Sequence, residues 1–403
     1  MIPLQQAVEL VMQNTGRLPA ETVDLLQAAG RVLAEEIISD RDQPPFARSS
    51  MDGYALRAAD VAPAPVQLQV VGFIPAGTFP DFQIQQGQAA KIMTGAPLPA
   101  GADSVQMIEK TRPAAGDRVE VLEAVPPGHN VSPQGSEAAA GQVVARAGSF
   151  VSPAVIGLLA AVGKSRVRVY RRPAVAIIAT GDELVEIDQT PKLGQIRNSN
   201  SFALAAQVAR LGATARLWGM ARDQQQQIRE LLQRGLACEV VVLTGGVSMG
   251  DLDLVEDVFQ ELGLQIHFNK VAVKPGKPVV FATCGDKLVF GLPGNPVSAA
   301  TTFELLVRPA IRKLMGFSVY SNQIVAAQLE APIINRSQRE YYAPATAWYD
   351  GRQFRVRPLA SKGSGDQVTY AQSNCYLICP REVVELHAGE TVRVMLRPEF
   401  FSC

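Results

Sequence analysis

The chain has 403 residues, 47% hydrophobic and 19% charged, a globular composition with material for roughly two to four domains. Lys plus Arg and Asp plus Glu both number 38, so net charge recruits neither nucleic acid nor an anionic membrane, and any anion must be bound locally. Five cysteines lack a CxxC pair and three scattered histidines lack an HExxH or other paired spacing, which argues against a disulfide scaffold, a zinc ribbon and histidine catalysis.

The opening "MIPLQQAVELVMQN" has no basic start or signal-type apolar core, and no run reaches membrane-spanning length, so a cytoplasmic protein is expected. Residues 19–37, "PAETVDLLQAAGRVLAEEI", read as a helix, paired with a second in "SPAVIGLLAAVG" (152–163) across an intervening segment. That segment, 42–140, holds 12 of the chain's 27 prolines and only short alternating runs such as "VQLQVVGFI", which predicts an extended, irregular β module without long helices. "KSRVRVYRR" (164–172) alternates basic and apolar residues as a solvated strand face does.

From Pro173 to Gly316 short apolar strands alternate with amphipathic helices, the pattern of a doubly wound, mostly parallel α/β sheet. Strands are expected at "AVAIIAT", "TARLWGM", "EVVVL", "QIHFNKVAV", "PVVFAT" and "LVFGL". Helices are expected near 199–211, over "RDQQQQIRELLQRGL", from about Asp253 to Leu262, and from Asn295-Pro296 onward, the last kinked or shortened by Pro309. Beyond about residue 319, "QFRVRPL" and "ETVRVML" with an Asp350-Gly351 turn predict a small β domain. Cys375 and Cys379 in "NCYLIC" would share a strand face but lie about 13 Å apart, too far for one metal.

In open α/β sheets ligands gather beyond the carboxyl ends of strands. Five loops predicted at that end carry "TGDE" (180–183), Arg222-Asp223, "TGGVSMGDLD" (244–253), "KPGKP" (274–278) and "PGNP" (293–296). Turn formation explains their Gly and Pro but does not require Glu183, Asp223, Asp251, Asp253, Lys274 and Lys277 to share one rim. Glycine-loop amides at Gly245, Gly246, Ser248 and Gly294 suit an oxyanion, lysines add positive charge, and carboxylates beside phosphate suit Mg2+. The pattern describes a metal-assisted site for a phosphorylated, nucleotide-bearing ligand. It lacks a Walker A lysine, a GxGxxG after a strand and a GxSxG elbow.

Six stretches in order, "PPFARSSMDGYALRAAD", "KIMTGAPLPAGADSV", "TGDEL" with "GQIRNSN", "LTGGVSMGDLDLV", "VAVKPGKPVVF" and "GLPGNPVSA", resemble the molybdopterin molybdenumtransferases, which include the E domain of gephyrin. The resemblance covers essentially the whole chain. It implies Mg2+-dependent insertion of molybdenum, from molybdate, into adenylylated molybdopterin with release of AMP. It also implies an elongated homodimer, its site between the α/β domain of one subunit and the proline-rich module of the other, with a molybdopterin adenylyltransferase as a further partner. The implied division is 1–18 with 168–318 as the molybdopterin-binding α/β domain, 19–41 with 141–167 as a helical linker domain, 42–140 as the β module, and 319–403 as a barrel-like C-terminal β domain.

By the same resemblance Asp52, Glu183, Asp223, Lys270 and Lys274 take catalytic positions, with Thr94, Lys277, Pro293 and Pro296 binding or shaping the site. Asp251 and Asp253 both fall in the family's acidic loop. They join Glu183 and Asp223 as Mg2+ ligand candidates. Where the family usually has Gly-Glu-Asp, this chain has Gly135-Ser136-Glu137. Two other readings follow from the same residues: a non-catalytic, gephyrin-like scaffold, and a molybdopterin-binding enzyme of the adenylyltransferase type.

Overall fold

A computed structural model describes residues 1–246, 252–398 and 400, with the side chains of residues 252–254 and 256 outside the described set. The chain divides into two compact units, one of residues 1–23, 30–34 and 168–403, the other of residues 24–29 and 35–167. The first helix, α1 (Leu4–Gln13), buries Ala7 and Val11. The helix expected over 19–37 is absent. Instead Ala20–Asp24 is a strand, β1, followed by a 3-10 turn at Leu25–Ala28. Thr22 and Val23 are β-branched and favour an extended backbone, while Gly30 takes φ +75°, which ends any helical path. The 3-10 turn lies against α2 (Pro153–Ala161), the second helix expected there, which starts on a Ser152 side-chain cap.

In the unit of residues 24–29 and 35–167, six strands form one sheet: β2 (Gly53–Leu56), β3 (Val66–Ile74), β4 (Gln88–Ile92), β5 (Ser104–Met107), β6 (Thr111–Ala114) and β7 (Arg118–Val121). Their order is β5-β2-β4-β3-β7-β6. Alternation sends neighbours to opposite faces, so Ala55, Ala90 and Ile92 enter one small core while Leu56, Ala89 and Val119 enter another. Among the described residues of 42–140 only 3-10 turns interrupt the strands, as the proline density predicts.

The α/β sheet comprises β8 (Ala174–Thr180), β9 (Thr214–Ala221), β10 (Val240–Thr244), β11 (Gln265–Lys270), β12 (Pro278–Cys284) and β13 (Lys287–Leu292), in the order β9-β8-β10-β13-β12-β11. The first four are parallel; β12 and β11 add antiparallel to the edge. Val175, Ile177, Val240 and Val242 face a core shared with α3 (Asn200–Arg210) and the helices after β13. Ala176, Ile178, Val241 and Leu243 face α4 (Gln225–Gly235) and α5 (Leu252–Glu261). Each buried valine, leucine or isoleucine contributes about 1.5–3 kcal/mol, so both faces hold the sheet.

Helix α6 (Pro296–Thr302) passes through a π-helical stretch, Phe303–Val307, into α7 (Arg308–Leu314). Pro309 therefore neither ends nor shortens the helix. It occupies the first turn of α7, where its missing N–H is tolerated. Within the π-helical stretch the buried Glu304 pairs with Arg210 at 2.9 Å and with Arg308 at 3.3 Å, tying this helix to α3.

Five further strands, β14 (Ile324–Leu329), β15 (Glu340–Tyr349), β16 (Phe354–Pro358), β17 (Cys375–Cys379) and β18 (Thr391–Leu396), close into a barrel in the order β15-β16-β14-β18-β17, with β17 pairing back onto β15. The turn through Asp350-Gly351 joins β15 to β16 as expected. Cys375 and Cys379 are buried in the barrel core. No helix among the described residues is long and apolar enough to cross a membrane.

Candidate active site

The carboxyl ends of β8, β9, β10 and β13 share one edge of the sheet. Because β12 and β11 each reverse direction, the end of β11 and the start of β12 lie at that edge too, so all five predicted loops meet there. They surround a cavity of about 720 Å³. The loop after β8 contributes Thr180, Gly181 and Glu183; β9 leads to Asp223; β10 to Gly245 and Gly246; and β13 to Pro293, Gly294, Asn295 and Pro296. Leu184 and Ile196 add apolar wall, and Gly365, just before α8 (Gln367–Gln372), and Gln367, its first residue, reach it as well.

Local packing explains why glycine stands at 245. Its φ is +99°, and a Cβ there would be driven into the carbonyl of Thr180. The close approach seats the end of β10 against the end of β8 and aligns Gly246 beside Thr180, whose Oγ1 is buried without a hydrogen-bond partner among the described residues. Asn200 at the start of α3 braces the opposite wall: its Nδ2 donates to Thr244 Oγ1 at 2.9 Å and to the Gly294 carbonyl at 2.7 Å. Thr244 Oγ1 in turn donates to the Pro293 carbonyl at 3.2 Å.

A second cavity, about 300 Å³, shares Pro278, Pro293 and Asn295 with the first and therefore adjoins it. Lys274, Lys277 and Arg339 line it together with the hydroxyl residues Ser298, Ser361 and Ser364. No carboxylate is among its described lining residues. Its construction is topological. After β11 the chain leaves the α/β sheet, and Val273–Lys274 pairs parallel to the start of β15, with Lys274 opposite Tyr341. The Lys274 ammonium lies 4.1 Å from the centre of the Tyr341 ring. Burial, and then the neighbouring Arg339 charge, push the Lys274 pKa below its ordinary 10.5, while burial lowers that of Arg339. Arg339 is fixed by an Nη1 hydrogen bond to the Val273 carbonyl at 3.1 Å. The Val297 N–H donates to the Ser364 carbonyl at 3.0 Å, which pins the 361–366 segment over the cavity.

Of the residues singled out from sequence, Glu183, Asp223, Gly245, Gly246, Gly294 and Pro296 line the larger cavity, Lys274 and Lys277 the smaller, and Pro293 both. Lys270 lines neither. It ends β11 opposite Pro278, and its carbonyl accepts a hydrogen bond from Ile2. Ser248 and Asp251 lie outside the described residues; Asp253 is in α5, its side chain likewise outside.

Asp52 and Thr94 belong to the other unit and meet each other there: Asp52 Oδ1 accepts from both the Thr94 hydroxyl and its backbone N–H, at 2.7 Å each. Those two bonds, the hydroxyl first, hold the Asp52 pKa below the usual carboxylate value. Glu137 of the divergent Gly-Ser-Glu segment pairs with Arg48 at 3.0 Å. Thr180, Asn200 and Ser298 lie in the quoted motifs "TGDE", "GQIRNSN" and "GLPGNPVSA" without having been singled out, whereas Arg339, Tyr341, Ser361 and Ser364 lie outside every motif. Of those four, the serines of the run "SKGSGD" (361–366) carried the signal of a Gly/Ser loop, which named no role.

Comparison with known proteins agrees with this architecture. Residues 2–163 match the MoeA N-terminal region (domain I and II), 176–313 a probable molybdopterin binding domain, and 326–396 the MoeA C-terminal region (domain IV). A molybdopterin molybdenumtransferase of Nostoc sp. is 38% identical over 96% of this chain and 91% of its own length. Another, from Staphylococcus epidermidis, is 34% identical over 98% and 95%. The crystal structure of the molybdopterin biosynthesis moeA protein from Pyrococcus horikoshii OT3 superposes with a TM-score of 0.84 at 33% identity, covering 98% of this chain and 100% of that one. Similarity of this extent places the chain in the molybdopterin molybdenumtransferase family.

Proposed function

We propose that this protein inserts molybdenum, taken from molybdate, into adenylylated molybdopterin and releases AMP in a Mg2+-dependent step. The observation that carries this reading is the pair of adjoining cavities on one rim, one with carboxylates and glycine loops, the other lined by cations with no carboxylate among its described lining residues. The larger, walled by glycine loops, apolar side chains, two carboxylates and Arg197, suits a nucleotide and its phosphates. The smaller, with three cationic side chains and the hydroxyls of three serines and Tyr341, suits a tetrahedral dianion such as molybdate.

Mg2+ favours one or two carboxylates together with substrate phosphates, and the donor set of the larger cavity fits that preference. Glu183 and Asp223 would hold the ion there, where it would neutralise phosphate charge. In this reading Asn200 keeps the glycine loops at the spacing the phosphates need, and Lys274, Lys277 and Arg339 hold molybdate beside the pterin. Lys270 acts from outside both cavities. Asp251 and Asp253 belong to the same acidic set. The reading includes the four-part division given above, with 19–41 contributing a strand and a 3-10 turn rather than a helix, and a homodimer in which Asp52 and Thr94 serve the site of a second copy.

The test is direct. Purified protein given adenylylated molybdopterin, molybdate and Mg2+ is expected to release AMP and form active cofactor; no AMP release would overturn the proposal. The dimer is tested by mixing Asp52→Ala with Lys274→Gln protein. Recovery of activity on mixing supports sites shared between copies, and none would refute them.

A further inference from the structure

We propose that Tyr341 is a positioning residue for oxyanion capture, its ring holding the Lys274 ammonium toward the smaller cavity; this rests on the reading of that cavity as an oxyanion site. Lys274 is partly desolvated, yet no carboxylate pairs with it among the described residues. A long, flexible lysine in such a place needs something to fix it, because an unheld ammonium would swing toward water. A carboxylate would fix it but would also neutralise it and compete with the incoming anion. An aromatic face orients a cation while leaving its full charge available.

The register supplies that face. Lys274 and Tyr341 are Cα partners on adjacent parallel strands, both line the cavity, and the ammonium stands 4.1 Å from the ring centre. Tyr341 also faces Cys379 across β17 and packs against the barrel core, so it fixes Lys274 to a rigid element rather than to a loop.

Equilibrium dialysis of molybdate against the full chain at fixed ionic strength tests this. Tyr341→Phe keeps the ring face and is expected to bind within about twofold of the parent. Tyr341→Leu and Tyr341→Met, the latter filling the ring's volume with an aliphatic chain, are expected to bind about tenfold more weakly. In a Lys274→Gln background the same changes are expected to cost nothing further, the coupling that a double-mutant cycle detects.

A purely structural role for Tyr341 would weaken binding equally in both backgrounds, and that result would overturn the proposal, as would unchanged affinity in folded Tyr341→Met. If Lys274→Gln alone leaves molybdate affinity intact, the oxyanion reading of the cavity fails instead.

Discussion

The two adjoining cavities share three wall residues but differ in how the chain builds them, and the difference sets their charge. The larger is made almost wholly from loops that follow parallel strands, which deliver Glu183, Asp223 and the glycines. The smaller exists because the chain leaves the α/β sheet after β11 and pairs Val273–Lys274 with the C-terminal barrel, which adds Arg339, Tyr341 and the serines of 361–364. One rim thereby presents Glu183 and Asp223 in one cavity and Lys274, Lys277 and Arg339 in the cavity beside it.

Reversing charge in the smaller cavity should break this contrast most severely. Lys274→Glu is expected to weaken molybdate binding by more than about 100-fold, since it removes one charge-assisted contact and adds a repulsive one, while AMP binding changes little. Next in size, Glu183→Gln combined with Asp223→Asn is expected to slow Mg2+-dependent AMP release by about 10- to 100-fold, with molybdate affinity unchanged. Asn200→Ala, which removes two hydrogen bonds between the end of β10 and the 293–296 loop, should cost about 1–2 kcal/mol of stability in denaturant titration and weaken AMP more than molybdate.

Titration sharpens the contrast further. Lysine binds an anion in its protonated form, and the Lys274 pKa lies below the ordinary value, chiefly through burial. Molybdate affinity should therefore fall as pH rises through that lowered pKa, sooner than for an exposed lysine; dialysis across a pH series reads this. The smallest effect is expected in the other unit. Thr94→Val removes the hydroxyl that most lowers the Asp52 pKa, so the carboxyl should titrate closer to 3.8 by NMR. The Asp52 contribution to stability, present above the unfolded-state value, would then be lost at a higher pH on acidification.

How far sequence reached differs between the cavities for the same topological reason. The buried runs of β8, β10 and β13 announce a parallel sheet, and a parallel sheet fixes which strand ends face a ligand, so Glu183, Asp223 and the glycine loops could be assigned to one rim before any coordinates. Arg339 and Tyr341 could not. They stand more than sixty residues after Lys274 in an ordinary barrel strand and its approach, and only the pairing of Lys274 with Tyr341 brings them in. Lys270 shows the converse: its motif adjoins the rim, yet its register at the end of β11 leaves it outside both cavities. Residues 19–37 do not form the expected helix because the β-branched Thr22-Val23 pair favours extended backbone and Gly30 takes a positive φ, which together outweigh the helical spacing of the apolar residues.

Calorimetric titration of molybdate, and separately of AMP with Mg2+, into the parent, Lys274→Gln and Glu183→Gln/Asp223→Asn proteins tests the division of labour most directly. The account predicts a crossed result: the lysine change weakens molybdate by about 10- to 100-fold and leaves AMP nearly unaltered, and the carboxylate changes do the reverse. Equal loss of both ligands in both variants would contradict it.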